Sequence, residues 1–306
     1  MKISPEVKAH ALDVRTIMFV PALSPAFIEK AHLRGADAII IDLEDSIPPD
    51  LKSQGREAVA RAITQVARHL PVYVRVNNSI ALLDADLVAS VTLEVVGIVL
   101  PKAETAGQVR EVAARIAQLS GKIGRDHAPL LVLLVETPLG VHLVAELATA
   151  HESVVALIFG SEDYSALLGV RPSPEAMTVP AQMISMAARA RGLAAWGVAG
   201  TIVEIADGEL LKRVAADSRQ LGFTGTIAVN PKQIAIFNDA FGVSAQELEW
   251  ARDTLEIFNA SVKEGRAAVA HKGKMIDTPV AVRAEMLVAR AQRAAQATTS
   301  KEAPNV

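Results

Sequence analysis

The sequence predicts a (β/α)8 barrel of the TIM type followed by a C-terminal helical extension. Three observations carry that expectation. Short β-rich apolar runs alternate about eight times with longer amphipathic stretches. Several runs, among them Ala38-Ile39-Ile40-Ile41, are apolar without alternation, as are strands covered on both faces of a parallel sheet. A length of 306 residues suits one large α/β domain better than two small ones. A doubly wound open sheet is the runner-up, since local pattern does not show closure.

In chain order, strands are expected at 16–22, 38–43, 72–77, 97–101, 130–136, 154–159, 194–198 and 225–229. Helical spacing occupies 53–68, 105–119, 174–191 and 207–221 between them. Asp45-Ser46-Ile47-Pro48-Pro49-Asp50 is a Pro-rich loop, and Thr105, Ser165 and Asp207 stand where helix N-caps are expected. After Pro231 the pattern changes. Ser244-Ala245-Gln246-Glu247 reads as a capping box opening a helix through about residue 264, followed by the Gly-containing break "HKGKMIDTP" and another helix from Pro279. This assigns 1–240 to the barrel and 241–306 to the extension, whose last residues, "AQATTSKEAPNV", have the composition of a frayed terminus.

Composition narrows the function. Net charge is −3 with no block of either sign, so neither a nucleic acid nor an anionic membrane is an expected partner. Without cysteine there is no disulfide framework and no thiolate nucleophile. "MKISPEVKAHALDVRT" is too charged for a signal peptide, and no stretch reaches the ~20 apolar residues of a membrane helix. A soluble cytoplasmic protein is the expectation.

Two acids stand out. Glu136 ends "LLVLLVE" and Asp163 follows "VVALIFGSE", each just past a strand-like run and at the same end of adjacent βα units. Barrel enzymes keep their chemistry at that end. Two carboxylates there can share a hard divalent cation such as Mg²⁺, which leaves its other positions to water and substrate. The plain alternative is a loop charge or local cap, and Glu162 competes with Asp163 as a ligand. Arg75, inside "VYVRVNN", is a charge in a strand and needs an anionic partner. That partner is either Asp42 or Glu44 at the end of "AIIIDLED", or a substrate carboxylate or developing enolate oxygen, and both can hold together. Alternation puts Asp42 and Glu44 on one side of their strand, able to support the metal or tether Arg75. Asp277 is a lone acid in "GKMIDTP", where it is equally readable as the cap of the following helix.

Other candidates are weaker. His32, His142 and His151 are scattered along helical stretches and read as surface or packed histidines. Gly160-Ser161 allows close backbone approach to a ligand without forming a phosphate fingerprint. Lys102 in "LPKAE" is a Schiff-base candidate in principle, but the carboxylate pair offers another way to stabilise an enolate.

The segments "RTIMFVPA", "GADAIIIDLEDSIPPDLKSQGREAV", "VYVRVN", "GIVLPKAE", "VETPLGV", "IFGSEDYS", "LGFTGTIAVNPKQI" and "GKMIDTPV" occur in an order that resembles the HpcH/HpaI aldolase/citrate lyase family. Within it the resemblance is to citrate lyase beta subunits and malyl-CoA or citramalyl-CoA lyases, from about residue 15 to residue 290. It implies a Mg²⁺-dependent barrel that cleaves or forms a C–C bond in a hydroxy-acyl thioester carrying a carboxylate. The resemblance further implies Glu136 and Asp163 as metal ligands, Arg75 as the substrate- and enolate-binding arginine, and Arg15 and Glu136 as further substrate contacts. Asp277 becomes an acid/base lent by a neighbouring subunit through the extension, in a homo-oligomer built of trimers, either a trimer or a hexamer. The chain departs from its relatives at Ala22, Ala199, Thr226 and Asn230, where a glycine, an acid, a lysine and a histidine are common; these changes bear on the thioester pocket. Two alternatives remain: a CoA-independent class II aldolase of 2-keto acids, and a non-catalytic ligand-binding homologue.

Overall fold

The computed structural model describes residues 11–302. The readings placed on 1–10 and 303–306 lie outside the described residues. The chain forms two compact units, one ending at Phe241 and the other beginning at Gly242.

The first unit contains eight parallel strands: β1 (Thr16–Pro21), β2 (Ala38–Asp42), β3 (Val72–Arg75), β4 (Gly97–Leu100), β5 (Leu130–Val135), β6 (Val154–Phe159), β7 (Ala194–Trp196) and β8 (Thr226–Ala228). Each pairs with its neighbour in sequence from β1 to β7, and β8 pairs with β1. The remaining gap, between β7 and β8, is bridged at Trp196 and Gly225 and by backbone bonds from Gly197 N to Gly225 O (3.0 Å) and Thr224 N to Ala195 O (2.8 Å). This is the expected (β/α)8 barrel. Most strands stop one or two residues short of the apolar or polar run that announced them, because polar side chains at the mouth begin the loops.

The connecting helices are α1 (Pro25–Lys30), α2 (Lys52–Ala67), α3 (Ile80–Ser90), α4 (Ala106–Lys122), α5 (Pro138–His142), α6 (Val144–Leu147), α7 (Ser161–Leu168), α8 (Pro174–Arg189), α9 (Gly208–Gln220) and α10 (Ile234–Phe241). Thr105 and Asp207 are N-caps, accepting from Gln108 N and Leu210 N. Ser165 is not. Helix α7 starts at Ser161, directly after β6 and Gly160, so Ser165 lies inside it and its hydroxyl donates back to Glu162 O at 2.9 Å.

Alternation sorts the barrel residues into two layers. Met18, Ile39, Val74, Ile98 and Leu133 join the core under the helices. Ile17, Ile40, Tyr73, Val132, Ile158 and Trp196 fill the barrel itself. Tyr73 and Trp196 meet edge to face, 6.2 Å between centroids. The inward column of each strand continues, two residues at a time, into the polar groups at its mouth. Ile40 leads to Asp42, Tyr73 to Arg75 and Leu134 to Glu136.

The second unit consists of α11 (Ala245–Lys263), an antiparallel hairpin of β9 (Ala268–His271) and β10 (Lys274–Asp277), and α12 (Thr278–Glu302). Ser244 and Glu247 form the expected capping box. The break "HKGKMIDTP" is a hairpin: Lys272 (φ 48°) and Gly273 (φ 74°) supply the two positive-φ residues that a tight two-residue turn requires. The terminal stretch to which sequence composition assigned no structure is helical as far as Glu302. Among the described residues no helix is long and apolar enough to cross a membrane.

Candidate active site

A cavity of about 410 Å³ opens at the C-terminal mouth of the barrel, and Asp42, Arg75, Glu136 and Asp163 all line it. The register explains the first pair. Asp42 and Arg75 are direct partners across β2 and β3, and both point inward. Arg75 donates from Nε to Asp42 Oδ1 (2.7 Å) and from Nη2 to Asp42 Oδ2 (2.8 Å), a bidentate fork, with a longer bond from Nη1 to Asp45 Oδ2 (3.4 Å). Its guanidinium also lies over the Phe19 ring, 4.7 Å from the centroid. Burial opposes the charge on Asp42, but the bonds and charge of Arg75 outweigh it and hold the carboxylate below its usual range. Arg75 has five N–H donors, of which three are directed at Asp42 and Asp45, and Glu44 Oε2 also lies 2.9 Å from Nη1. The tether is thus the carboxylate of Asp42, and Arg75 lines the cavity beside it.

Glu136 is 2 % exposed and accepts the Lys102 amide at Oε1 (2.9 Å). Burial, then the charges of Asp163 and Glu44, push its pKa up to about 8. Asp163 sits half-buried in the first turn of α7. Glu162, its competitor, is committed elsewhere. Its Oε1 accepts from Thr201 Oγ1 (2.6 Å) and Ile202 N (3.2 Å), which fixes the loop after β7. Among the described residues no group of three or more acids or histidines converges as a closed metal cage. Two hard carboxylates in one another's field, with the nearby acids Asp42, Glu44 and Asp45 outnumbering the cations Arg75 and Lys102, form a donor set that fits a hard divalent cation keeping several waters.

The structure does not bring Arg15 to this cavity. It precedes β1 at the opposite end of the barrel and pairs there with Asp37, Nη2 to Oδ1 at 2.7 Å and Nε to Oδ2 at 3.0 Å. Six strand residues at ~3.3 Å each separate it from the mouth by ~20 Å, so its expected contact with substrate is corrected to a structural ion pair. Asp277 lies in the second unit, where Oδ1 accepts Val280 N (3.3 Å) and so caps α12. His32 stacks on His69 and His151 pairs with Ser153 Oγ at 2.8 Å, which leaves them as packed or surface groups. A larger cavity of about 620 Å³ lies away from this chemistry, beside Val96, Leu130 and Ser153 at the N-terminal ends of β4, β5 and β6.

Sequence reading missed several participants. Phe19, Ile202, Val203 and Val229 line the cavity, whereas Ala199 and Thr226 do not, and Asn230 caps the turn Pro231–Gln233. Phe19 carried a legible signal, being two residues after an inward position of β1. The loop residues carried none, because their approach depends on Glu162 and on Gln233, whose Nε2 donates to Ile202 O at 2.5 Å.

A parallel barrel with a buried carboxylate, a second acid and a tethered arginine at its C-terminal mouth has the architecture of a barrel enzyme. The particular family follows from comparison: the HpcH/HpaI aldolase/citrate lyase model matches residues 15–231, and the chain belongs to that family of lyases. It is 32% identical over 286 residues to citrate lyase subunit beta of Escherichia coli strain K12, covering 91% of this chain and 93% of that one. It is also 30% identical to a (3S)-malyl-CoA thioesterase of Cereibacter sphaeroides, covering 93% and 97%. Its fold resembles a CitE crystal structure from Mycobacterium tuberculosis in complex with magnesium, acetoacetate and coenzyme A, with TM-score 0.73, 31% identity and coverage of 90% and 97%.

Proposed function

We propose that this chain is a Mg²⁺-dependent lyase that cleaves, or in reverse forms, the C–C bond of a hydroxy-acyl thioester of the malyl-CoA, citramalyl-CoA or citryl type, giving a 2-keto acid and an acyl thioester. The observation that carries the reading is the facing of Glu136 and Asp163 with Arg75 across one cavity of about 410 Å³. Complexes of relatives with magnesium, with coenzyme A and with oxaloacetate support the ligand classes.

In this reading Glu136 and Asp163 hold the cation. A bound Mg²⁺ supplies Lewis acidity to the substrate's carboxylate and hydroxyl oxygens. Arg75, fixed by Asp42, directs its remaining donors at the oxyanion that develops as the C–C bond breaks. Asp42 holds Arg75 in place through the fork, and Glu44 adds a negative charge beside it. Phe19, Phe159 and Leu134 exclude water from the floor of the cavity. As the C–C bond breaks the substrate hydroxyl gives up its proton to become the keto oxygen. Asp277, from the second unit of a neighbouring copy in a homo-oligomer of trimers, delivers a proton to the enolate carbon, so the net proton count is unchanged. A cytoplasmic location suits a chain without cysteine.

The test is a Mg²⁺-dependent screen of hydroxyacyl-CoA esters and free hydroxy-keto acids, read by release of pyruvate, glyoxylate or oxaloacetate. Thioester cleavage lost with EDTA and in Asp163→Asn supports the proposal. Activity surviving both sinks it; turnover of free keto-acid aldols alone favours a class II aldolase. Sedimentation of the purified protein tests the oligomer.

A further inference from the structure

Lys102 has no part in the chemistry above, yet its backbone is the unusual one at the strand mouths. Its φ of 48° lies in the left-handed region, which a residue with a β-carbon enters only when its surroundings enforce it. The enforcement is visible. Asn78 Nδ2 donates to the carbonyls of both Pro101 (2.8 Å) and Lys102 (3.1 Å), Asn78 Oδ1 accepts from Gln108 Nε2 (2.9 Å), and Ala103 N donates to Leu134 O (3.1 Å).

The conformation sends the two donors of Lys102 to two different acids. Its amide meets Glu136 Oε1 at 2.9 Å, while its ammonium meets Glu44 Oε1 at 2.6 Å. The other Glu44 oxygen, Oε2, comes within 2.9 Å of Arg75 Nη1 but makes no hydrogen bond there. A buried carboxylate oxygen so close to a guanidinium would ordinarily turn to accept one of its N–H groups. Its partner oxygen, Oε1, is engaged at the same time by the Lys102 ammonium.

We propose that Lys102 is a positioning residue that holds Glu44 at ion-pair distance from Arg75 but out of line with its N–H groups, so that Arg75 retains N–H donors for the anionic oxygen of the substrate. Glu44 contributes negative charge that orients Arg75 without consuming its donors. The Lys102 amide, independent of the side chain, fixes Glu136. The inference rests on the proposed role of Arg75 as the anion-binding group.

The experiment is calorimetric binding of Mg²⁺, and of oxaloacetate at saturating Mg²⁺, to wild type, Lys102→Met, Lys102→Arg and the double variant Lys102→Met/Glu44→Gln, each checked for folding by circular dichroism. Lys102→Met weakens oxaloacetate about tenfold, the order of one charge-assisted hydrogen bond, and does not weaken Mg²⁺, because the amide remains on Glu136 and a neighbouring cation is removed. Lys102→Arg restores part of the loss. In the double variant the competing carboxylate is gone and oxaloacetate affinity returns to within about threefold of wild type. A general packing defect would not be rescued by a second change in the same cluster. Unchanged oxaloacetate affinity in Lys102→Met, or a double variant no tighter than the single, overturns the proposal. So does borohydride trapping of the keto acid on Lys102, which would make it a nucleophile. Wild type that binds neither ligand sinks the proposed function along with it, whereas normal wild-type binding with an indifferent Lys102→Met sinks this inference alone.

Discussion

The backbone of Gly160 lies directly against the Glu136 side chain. A β-carbon added at Gly160 would stand 2.5 Å from Glu136 Cβ and 2.6 Å from its Oε2, closer than real β-carbons come to any atom. Glycine is needed there because the end of β6 and the carboxylate after β5 share one space. Gly160→Ala is therefore expected to displace Glu136 and weaken Mg²⁺ binding about 10- to 100-fold, with the far-ultraviolet circular dichroism of the barrel retained. Calorimetric titration with Mg²⁺ checks it; an affinity equal to wild type would show that Glu136 is not a ligand.

Magnesium affinity should depend on pH through Glu136. Burial first, then the charge of Asp163, lift its pKa to about 8, so near neutrality the metal-free carboxyl keeps its proton. Binding a cation releases it. Affinity is expected to rise from about pH 6 to about pH 9, with proton uptake by buffers of different ionisation enthalpy. The native pKa exceeds the unfolded one, so the metal-free protein binds more protons folded than unfolded between them. Its stability from this group accordingly falls as pH rises through that window. Protection by Mg²⁺ in thermal melts grows over the same range, and Glu136→Gln removes the pH dependence.

Replacing Arg75 with lysine keeps the charge but loses the fork. Asp42 retains one contact in place of two, and the remaining donors no longer face the cavity in a fixed plane. Steady-state kinetics on the screened substrate should show kcat/KM reduced about 10²- to 10³-fold. Arg75→Ala goes further and leaves Asp42, 2 % exposed, without its main partner. Denaturant titration is expected to show a loss of about 3 kcal/mol or more.

Asp277→Asn separates two roles. Asparagine caps helices about as well as aspartate, so the bond to Val280 N and the start of α12 survive. A proton donor does not survive. The expected result is an unchanged melting temperature and Mg²⁺ affinity with kcat lowered about 10²- to 10⁴-fold; full activity would remove Asp277 from the mechanism.

Inside the barrel, Gly97→Ala tests the packing of the aromatic layer. The added carbon would lie 2.8 Å from Tyr73 Cδ1 and 3.0 Å from Leu130 O, and Tyr73 is itself wedged against Trp196. Overpacking of this kind costs about 1–3 kcal/mol, measurable as a lowered unfolding midpoint in urea.

The barrel was legible because its signals are local. Runs such as Val154–Phe159, a strand from end to end, need nothing but burial on both faces to be apolar throughout. Asp42, Arg75 and Glu136 were legible as anomalies, polar groups continuing an inward column. Arg15 also carried a usable signal: standing before its strand, it belongs to the opposite end from Glu136. Other features had no local trace. The positive φ of Lys102 and the engagement of Glu162 by Thr201 arise with contacts to distant segments.

The sequence alone determined that Asp42, Arg75, Glu136 and Asp163 reach the mouth of the barrel, since strand period and strand ends depend on residues a few positions apart. Only the tertiary structure decided how they are partnered. Arg75 and Asp42 are 33 residues apart, and Lys102 and Glu44 are 58. Closing the barrel converts those separations into hydrogen bonds, and the order of residues along a chain contains no distances across it. For that reason Glu136 and Asp163 could be read as a pair of mouth acids, while the restraint of Glu44 by Lys102 had to be seen.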